Sequence, residues 1–135
     1  MKRLFVDTGG WMSLADQKDP LHSDCKRARD RWLEEAGTLV TSDYVMDETL
    51  TLIRMRLSIH AAEKWWNQMA ESPRLKWEWI DVERAQKARE WFFKWKDKAF
   101  SFTDCTSFVL MRELHIKKTL TVDRHFAEAG FEILP

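Results

Sequence analysis

Long apolar runs are missing from this chain. The first one, Leu4-Phe5-Val6, stops after three residues, well short of the roughly 20 that a membrane span needs and of the roughly 7–15 in a signal-peptide core. No membrane association and a cytoplasmic location are therefore expected. Cysteine is scarce: Cys25 and Cys105 cannot build a disulfide framework, and both read as ordinary thiols of a reducing compartment. Four Gly and three Pro exclude collagen-like and low-complexity classes, and no Asn-Gly or Asp-Gly pair marks a hairpin. Net charge is absent as well. With 22 Lys plus Arg against 22 Asp plus Glu, there is no overall basic field for nucleic acid and no acidic tail, so a charged partner has to be met locally. Also missing are a P-loop, a GxGxxG turn, a zinc motif and a Gly-x-Ser-x-Gly elbow, and the four His show no ligand spacing.

What is present is enough apolar material for one domain spanning residues 1–135, with 44% hydrophobic residues and a real core. Eight Trp and eight Phe point to large buried or interface surfaces. Leu4-Phe5-Val6 reads as a buried strand ending at an Asp7-Thr8-Gly9-Gly10 turn, and a charged helix runs from Asp19-Pro20 to Ala36 and stops at Gly37. A second strand, Thr38 to Thr41, leads to a helix capped by Ser42 or Asp43, and Ser58 starts another. Leu75 to Ile80 alternates with period two, Asp81 caps a helix over Val82 to Lys98, and Ser101 opens a helix to about Leu114. Thr119 to Val122 is a strand, a short helical turn follows, and Glu132-Ile133-Leu134 closes the chain as a strand. Strands alternating with helical crossovers predict an α/β fold, a three-layer α/β/α sandwich around a mostly parallel sheet.

The acids carry the chemistry. In an open parallel sheet, ligands bind off the carboxyl ends of the strands, where Asp7 and Asp123 each end an apolar run. A helix cap is the plainer role for either alone. Glu48 sits at the border of an apolar stripe, with Tyr44, Val45, Leu52 and Met55 one and two turns away and no cation among them, so its charge must be met from elsewhere in the fold. Asp47 shares its face with Asp43, Thr51 and Arg54 and is an ordinary surface acid. Asp104 also lacks a cation one turn on, although Ser101-Phe102-Thr103-Asp104 fits a capping box. Asp7, Glu48, Asp104 and Asp123 share one economical explanation, a site for hard divalent cations such as Mg²⁺ or Mn²⁺. Asp7-Thr8-Gly9 is also the tripeptide of aspartic proteases, but those are nearly all-β; an aspartyl phosphatase wants a second Asp where Gly9 stands.

Together, Leu4-Phe-Val-Asp7-Thr8, Thr41-Ser-Asp-Tyr-Val-Met-Asp-Glu48, Ser101-Phe-Thr-Asp104-Cys105 and Thr121-Val-Asp123-Arg-His-Phe126 resemble a PIN domain, more narrowly the VapC-like toxin ribonucleases. The resemblance implies a PIN-like sandwich, Mg²⁺ or Mn²⁺ as cofactor, an RNA substrate, a cognate antitoxin lying across a hydrophobic groove, and a homodimer. Its acidic residues carry over to Asp7, Glu48, Asp104 and Asp123, with Glu48 either a ligand or the group that orients the attacking water. Two departures stand out: Gly9-Gly10 where related sequences often carry Ser or Asn, and His125 where some have another Asp. Arg84, Lys87, Arg89, Lys94 and Lys96 are candidates for holding RNA phosphates, and Trp91 with Trp95 for base stacking. The alternatives are an RNA-processing or structure-specific DNA nuclease of the same fold, or a non-catalytic RNA- or partner-binding module.

Overall fold

The computed structural model of the chain describes residues 2–135. Among them, strands and helices run as β1 (Arg3–Val6), α1 (Thr8–Ala15), α2 (His22–Glu34), β2 (Thr38–Ser42), α3 (Asp43–Arg56), α4 (Ile59–Glu71), β3 (Leu75–Glu78), α5 (Val82–Lys94), α6 (Phe102–Glu113), β4 (Lys118–Leu120), α7 (His125–Glu128) and β5 (Glu132–Leu134). The sheet order is β3-β2-β1-β4-β5 and every pairing is parallel. The expected α/β/α sandwich is therefore built on a sheet that is parallel throughout.

The order of the strands decides where a site can form. From β1 the chain steps to β2 and β3, then returns past β1 to lay β4 and β5 on its other side. Because such crossovers are right-handed, this reversal puts α1 to α4 on one face and α5 to α7 on the other. The helices pack accordingly, α1 on α2 and α3, α3 on α4, α5 on α6 and α6 on α7. A crevice opens where the direction reverses, at the carboxyl ends of β1 and β4. Central β1 is covered on both faces, so Leu4, Phe5 and Val6 are all fully buried and its sequence is a continuous apolar run rather than an alternation.

Helix starts follow the predicted caps except at α2, which begins at His22 rather than at Asp19-Pro20 and has no side-chain cap. The Ser42, Ser58 and Asp81 side chains accept from the backbone N–H groups of Val45, Ala61 and Arg84, and Ser101 with Asp104 forms the full capping box. Three other segments differ from expectation. Asp7-Thr8-Gly9-Gly10 is not a free turn: Asp7 caps α1, which contains both glycines. α5 ends at Lys94 rather than Lys98, because residues 95–99 are exposed and bury no face that would hold another helical turn. β4 ends at Leu120 rather than Val122; the Thr121 N–H still reaches the Leu134 carbonyl, and its hydroxyl donates to Asp7.

Gly10 permits this arrangement by close approach. A Cβ there would lie 2.3 Å from the Leu120 carbonyl oxygen, whereas one at Gly9 would meet the side chain of Val122 at 3.0 Å. Although Ala is intrinsically better than Gly in a helix by about 1 kcal/mol, Gly10→Ala is expected to cost roughly 1–3 kcal/mol because a backbone group must move. Gly9→Ala should be near neutral, since a side chain can yield. Urea unfolding of both variants measures the difference; equal stabilities would refute the packing of α1 against β4.

Candidate active site and metal centre

Asp7, Glu48, Asp104 and Asp123 converge on one pocket of about 230 Å³ at the reversal point. Each arrives from a different element: the end of β1, the middle of α3, the first turn of α6 and the connection between β4 and α7. Asp47, one residue from Glu48, points outward and is exposed. The face assignment read from helical spacing therefore holds.

Asp7 is 5% exposed. One carboxylate oxygen accepts from the Gly10 N–H at 2.9 Å and the other from the Thr121 hydroxyl at 2.8 Å. The same Thr121 oxygen accepts from the Asp123 N–H at 2.9 Å, and Asp123 Oδ1 accepts from the His125 N–H at 2.9 Å. A short relay thus links the ends of β1 and β4. Burial pushes the Asp7 carboxyl up to about 7; the two hydrogen bonds pull the other way, and the nearby charges of Asp104 and Asp123 add to the rise.

Asp104 accepts from the Ser101 N–H at 3.1 Å, and its Oδ2 lies 3.2 Å from Nδ1 of His125, which is also 3.2 Å from Asp123 Oδ1. Its carboxyl is likewise raised, by burial first, with the charge of Asp123 adding and the contacts to Ser101 and His125 opposing. The sequence offered the capping box and the charged site as competing roles for Asp104. The cap is formed, and the oxygen of this pocket-lining acid that serves it also meets His125.

Asp104, Asp123 and His125 bring ligand atoms within 4.8 Å of one another, a grouping that can hold a metal ion. A second observation supports the fit. Thr8 Oγ1 and Ser107 Oγ are buried without a hydrogen-bond partner, and both residues line the acidic pocket. Buried hydroxyls normally find a partner, and a hydrated hard cation supplies water to meet them. The donor set is oxygen-rich with one imidazole, which suits Mg²⁺ or Mn²⁺ better than zinc.

His125 was visible in the sequence only as a departure from the family pattern, because its partners lie on other elements. Ser107 had one signal, its i+3 spacing from Asp104. Asp19 and Arg56 also line the pocket, and nothing local marks either. Arg84, a candidate phosphate contact, is instead committed to Glu113, Glu78 and the Trp79 carbonyl. Trp91 is half-buried and packs against Phe108 at 5.3 Å, while Trp95 is exposed; both line one groove on α5 and α6, away from the acidic pocket. Cys105 is buried and unpaired, its thiol pushed up to about 11 by burial and by Asp104, which leaves it a poor nucleophile.

The sequence profile of the PIN domain matches residues 4–132. The chain belongs to the PIN-domain family. Within that family it is 32% identical over 133 residues to the 23S rRNA-specific endonuclease VapC20 of Mycobacterium tuberculosis, covering 98% of each chain. It is 30% identical over 128 residues to a VapC ribonuclease of Archaeoglobus fulgidus, covering 90% of this chain and 78% of that one. The crystal structure of M. tuberculosis VapC20, a toxin that cleaves the sarcin-ricin loop, superposes with a TM-score of 0.88 at 31% identity over 98% of this chain and 99% of that one. VapBC2 of Rickettsia felis shares the fold at a TM-score of 0.73 and 10% identity over 97% and 96% of the two chains. This PIN-domain protein is a VapC-family toxin endoribonuclease, a phosphodiester hydrolase, and PIN nucleases depend on metal. Among the described residues no helix is long and apolar enough to cross a membrane.

The buried acid gives a pH signature. Asp7 has a folded value of about 7 against an ordinary 3.8. In metal-free protein its contribution is therefore fully present below pH 3.8 and lost as pH rises through about 7, a swing of up to about 4 kcal/mol. Asp7→Asn removes that linkage. In EDTA the variant should match wild type near pH 4 and exceed it increasingly up to about pH 7, with the gap constant above. Urea unfolding across that range checks the sign, and a pH-independent gap would contradict it.

Proposed function

We propose that this VapC-type chain, acting as one domain over residues 1–135, hydrolyses RNA in the pocket at the β1–β4 reversal with Asp7, Glu48, Asp104 and Asp123 as its acidic set and Mg²⁺, or Mn²⁺, as its ion. The observation that carries the reading is the convergence of four acids from four separate elements on one pocket that also contains two unpartnered buried hydroxyls. When bound, the ion supplies Lewis-acid chemistry: it acidifies water and neutralises charge that builds on the phosphate.

The chain's own residues prepare that chemistry. Thr121 and the Gly10 N–H fix both oxygens of Asp7. His125 sets the spacing of Asp104 and Asp123 through its contacts to both, which holds the two carboxylates together for an ion. Glu48, which lines the same pocket, serves either as a further ligand or as the group that orients the attacking water. The hydroxyls of Thr8 and Ser107, buried without partners, would be satisfied by water that such an ion carries. No side-chain nucleophile is required.

The substrate class follows the relatives. A structured ribosomal RNA loop is the first candidate, because the M. tuberculosis relative is a 23S rRNA-specific endonuclease. The protein acts in the cytoplasm, forms a homodimer and is held by a cognate antitoxin. Exposed aromatics such as Trp79 and Phe93 supply apolar surface for assembly. A groove with Trp11, Leu14, Trp65 and Met69 among its walls and Lys26, Arg29 and Lys64 around it suits an antitoxin segment that is apolar on one side and acidic on the other.

Purified protein should cut RNA with Mg²⁺ or Mn²⁺ and not with EDTA. Asp7→Asn and Asp104→Asn should each reduce the rate by roughly 10²-fold or more, while Asp47→Asn stays within about twofold of wild type. A gel assay on labelled ribosomal RNA fragments, with single- and double-stranded DNA as comparison, measures this. Cleavage that persists in EDTA, or equal losses at positions 47 and 104, would overturn the assignment.

A further inference from the structure

Among the described residues, the wall that α3 gives to the acidic pocket is one helical stripe: Val45, Glu48, Leu52 and Arg56. Arg56 is the one Lys or Arg on the pocket lining, which also holds Asp7, Asp19, Glu48, Asp104 and Asp123. Its side chain is exposed and, among the described residues, forms no ion pair and no hydrogen bond. A guanidinium beside five acids that pairs with none of them is free for a ligand.

We propose that Arg56 holds a backbone phosphate of the RNA strand next to the one being cut, a reading that rests on the site assigned above. An RNA strand meets a cluster of like charge here, and a cation at the same opening offsets the repulsion where the strand enters. The planar guanidinium fork fits a phosphate better than a point charge does. The eight residues from Glu48 to Arg56 span about 12 Å of helix. That separation sets the base of Arg56 two turns from Glu48, so its side chain meets a flanking phosphate and not the reacting one.

The plainer role for Arg56 is to complement the negative end of the α3 dipole, since Arg54 and Arg56 both occupy its last turn. That role applies equally to Arg54. Two residues apart on a helix, however, the side chains diverge by about 200°, and Arg54 is not on the pocket lining. The pair is therefore an internal control with equal charge and equal position along the dipole.

The test uses a fluorescein-labelled RNA hairpin and four proteins: wild type, Arg56→Gln, Arg56→Lys and Arg54→Gln. With Mn²⁺, Arg56→Gln should raise KM about tenfold with kcat within about twofold, the size expected for one charge-assisted contact. Arg56→Lys should recover most of the loss, and Arg54→Gln should do nothing. Fluorescence anisotropy in an Asp104→Asn background, which stops turnover, should show the salt slope of binding reduced by about 0.7–0.9 for Arg56→Gln only. Calorimetry should find Mn²⁺ binding to Arg56→Gln unchanged or tighter. Equal effects at 54 and 56, a fall in kcat with KM unchanged, or weaker Mn²⁺ binding would overturn the proposal. If wild type cuts no RNA, the site assignment fails, and the anisotropy series still decides whether Arg56 meets phosphate.

Discussion

The buried carboxylate of Asp7 forms no ion pair among the described residues, and isolating such a charge from water costs several kcal/mol unless hydrogen bonds, protonation or a bound ion offset it. Here the Gly10 N–H and the Thr121 hydroxyl satisfy one contact on each oxygen, and burial still lifts the carboxyl toward neutrality. Much of the cleft follows from that constraint. The Thr121 hydroxyl reaches Asp7, its oxygen fixes the Asp123 backbone, and Asp123 in turn accepts from the His125 N–H. A carboxyl pushed toward neutrality by burial and by neighbouring acids is one whose charged form a bound cation would favour.

Such a cluster holds its geometry only on a rigid base. α6, which carries Asp104 and Ser107, is buried continuously from Cys105 to Met111. Phe108 is the hub, with rings of Phe100 at 4.9 Å, Phe126 at 5.0 Å, Trp91 at 5.3 Å and Phe131 at 5.7 Å. Phe100 also meets the His125 ring edge-on at 5.7 Å. One aromatic cluster therefore anchors both the helix of Asp104 and the imidazole facing it. On the other face, Trp11 donates to Thr41 at 3.1 Å and packs edge-on against Trp65 at 5.6 Å, tying α1 and its Asp7 cap to β2 and α4. Much of the aromatic surplus is thus spent on holding site-bearing elements in place.

Zero net charge conceals a strong local separation. The acids are gathered at the reversal point, and several cations are already engaged elsewhere: Arg84 with Glu113 and Glu78, Lys2 with Glu35, Lys118 with Glu132. What governs a polyanionic substrate is the small number of cations left unpaired beside the acids, which an overall charge count does not report.

The strands, the capped helices and the identity of the four acids were legible in the residues alone, because each depends on local chemistry: apolar runs that stop at Asp, Ser and Asp at helix starts, and a Glu with no cation within a helical turn. Asp47 and Glu48 were separable for the same reason, helical period. The segment expected as a turn at Asp7-Thr8-Gly9-Gly10 opens a helix packed so closely that a Cβ at position 10 would lie 2.3 Å from the Leu120 carbonyl oxygen, a neighbour more than a hundred residues away. Ser107, Asp19 and Arg56 join the pocket, and His125 meets Asp104 and Asp123 beside it, only through the tertiary fold. Sequence determined which groups carry charge and which elements present them; the tertiary structure decided which of those groups share a cavity, since distance across a sheet is set by strand order and not by spacing along the chain.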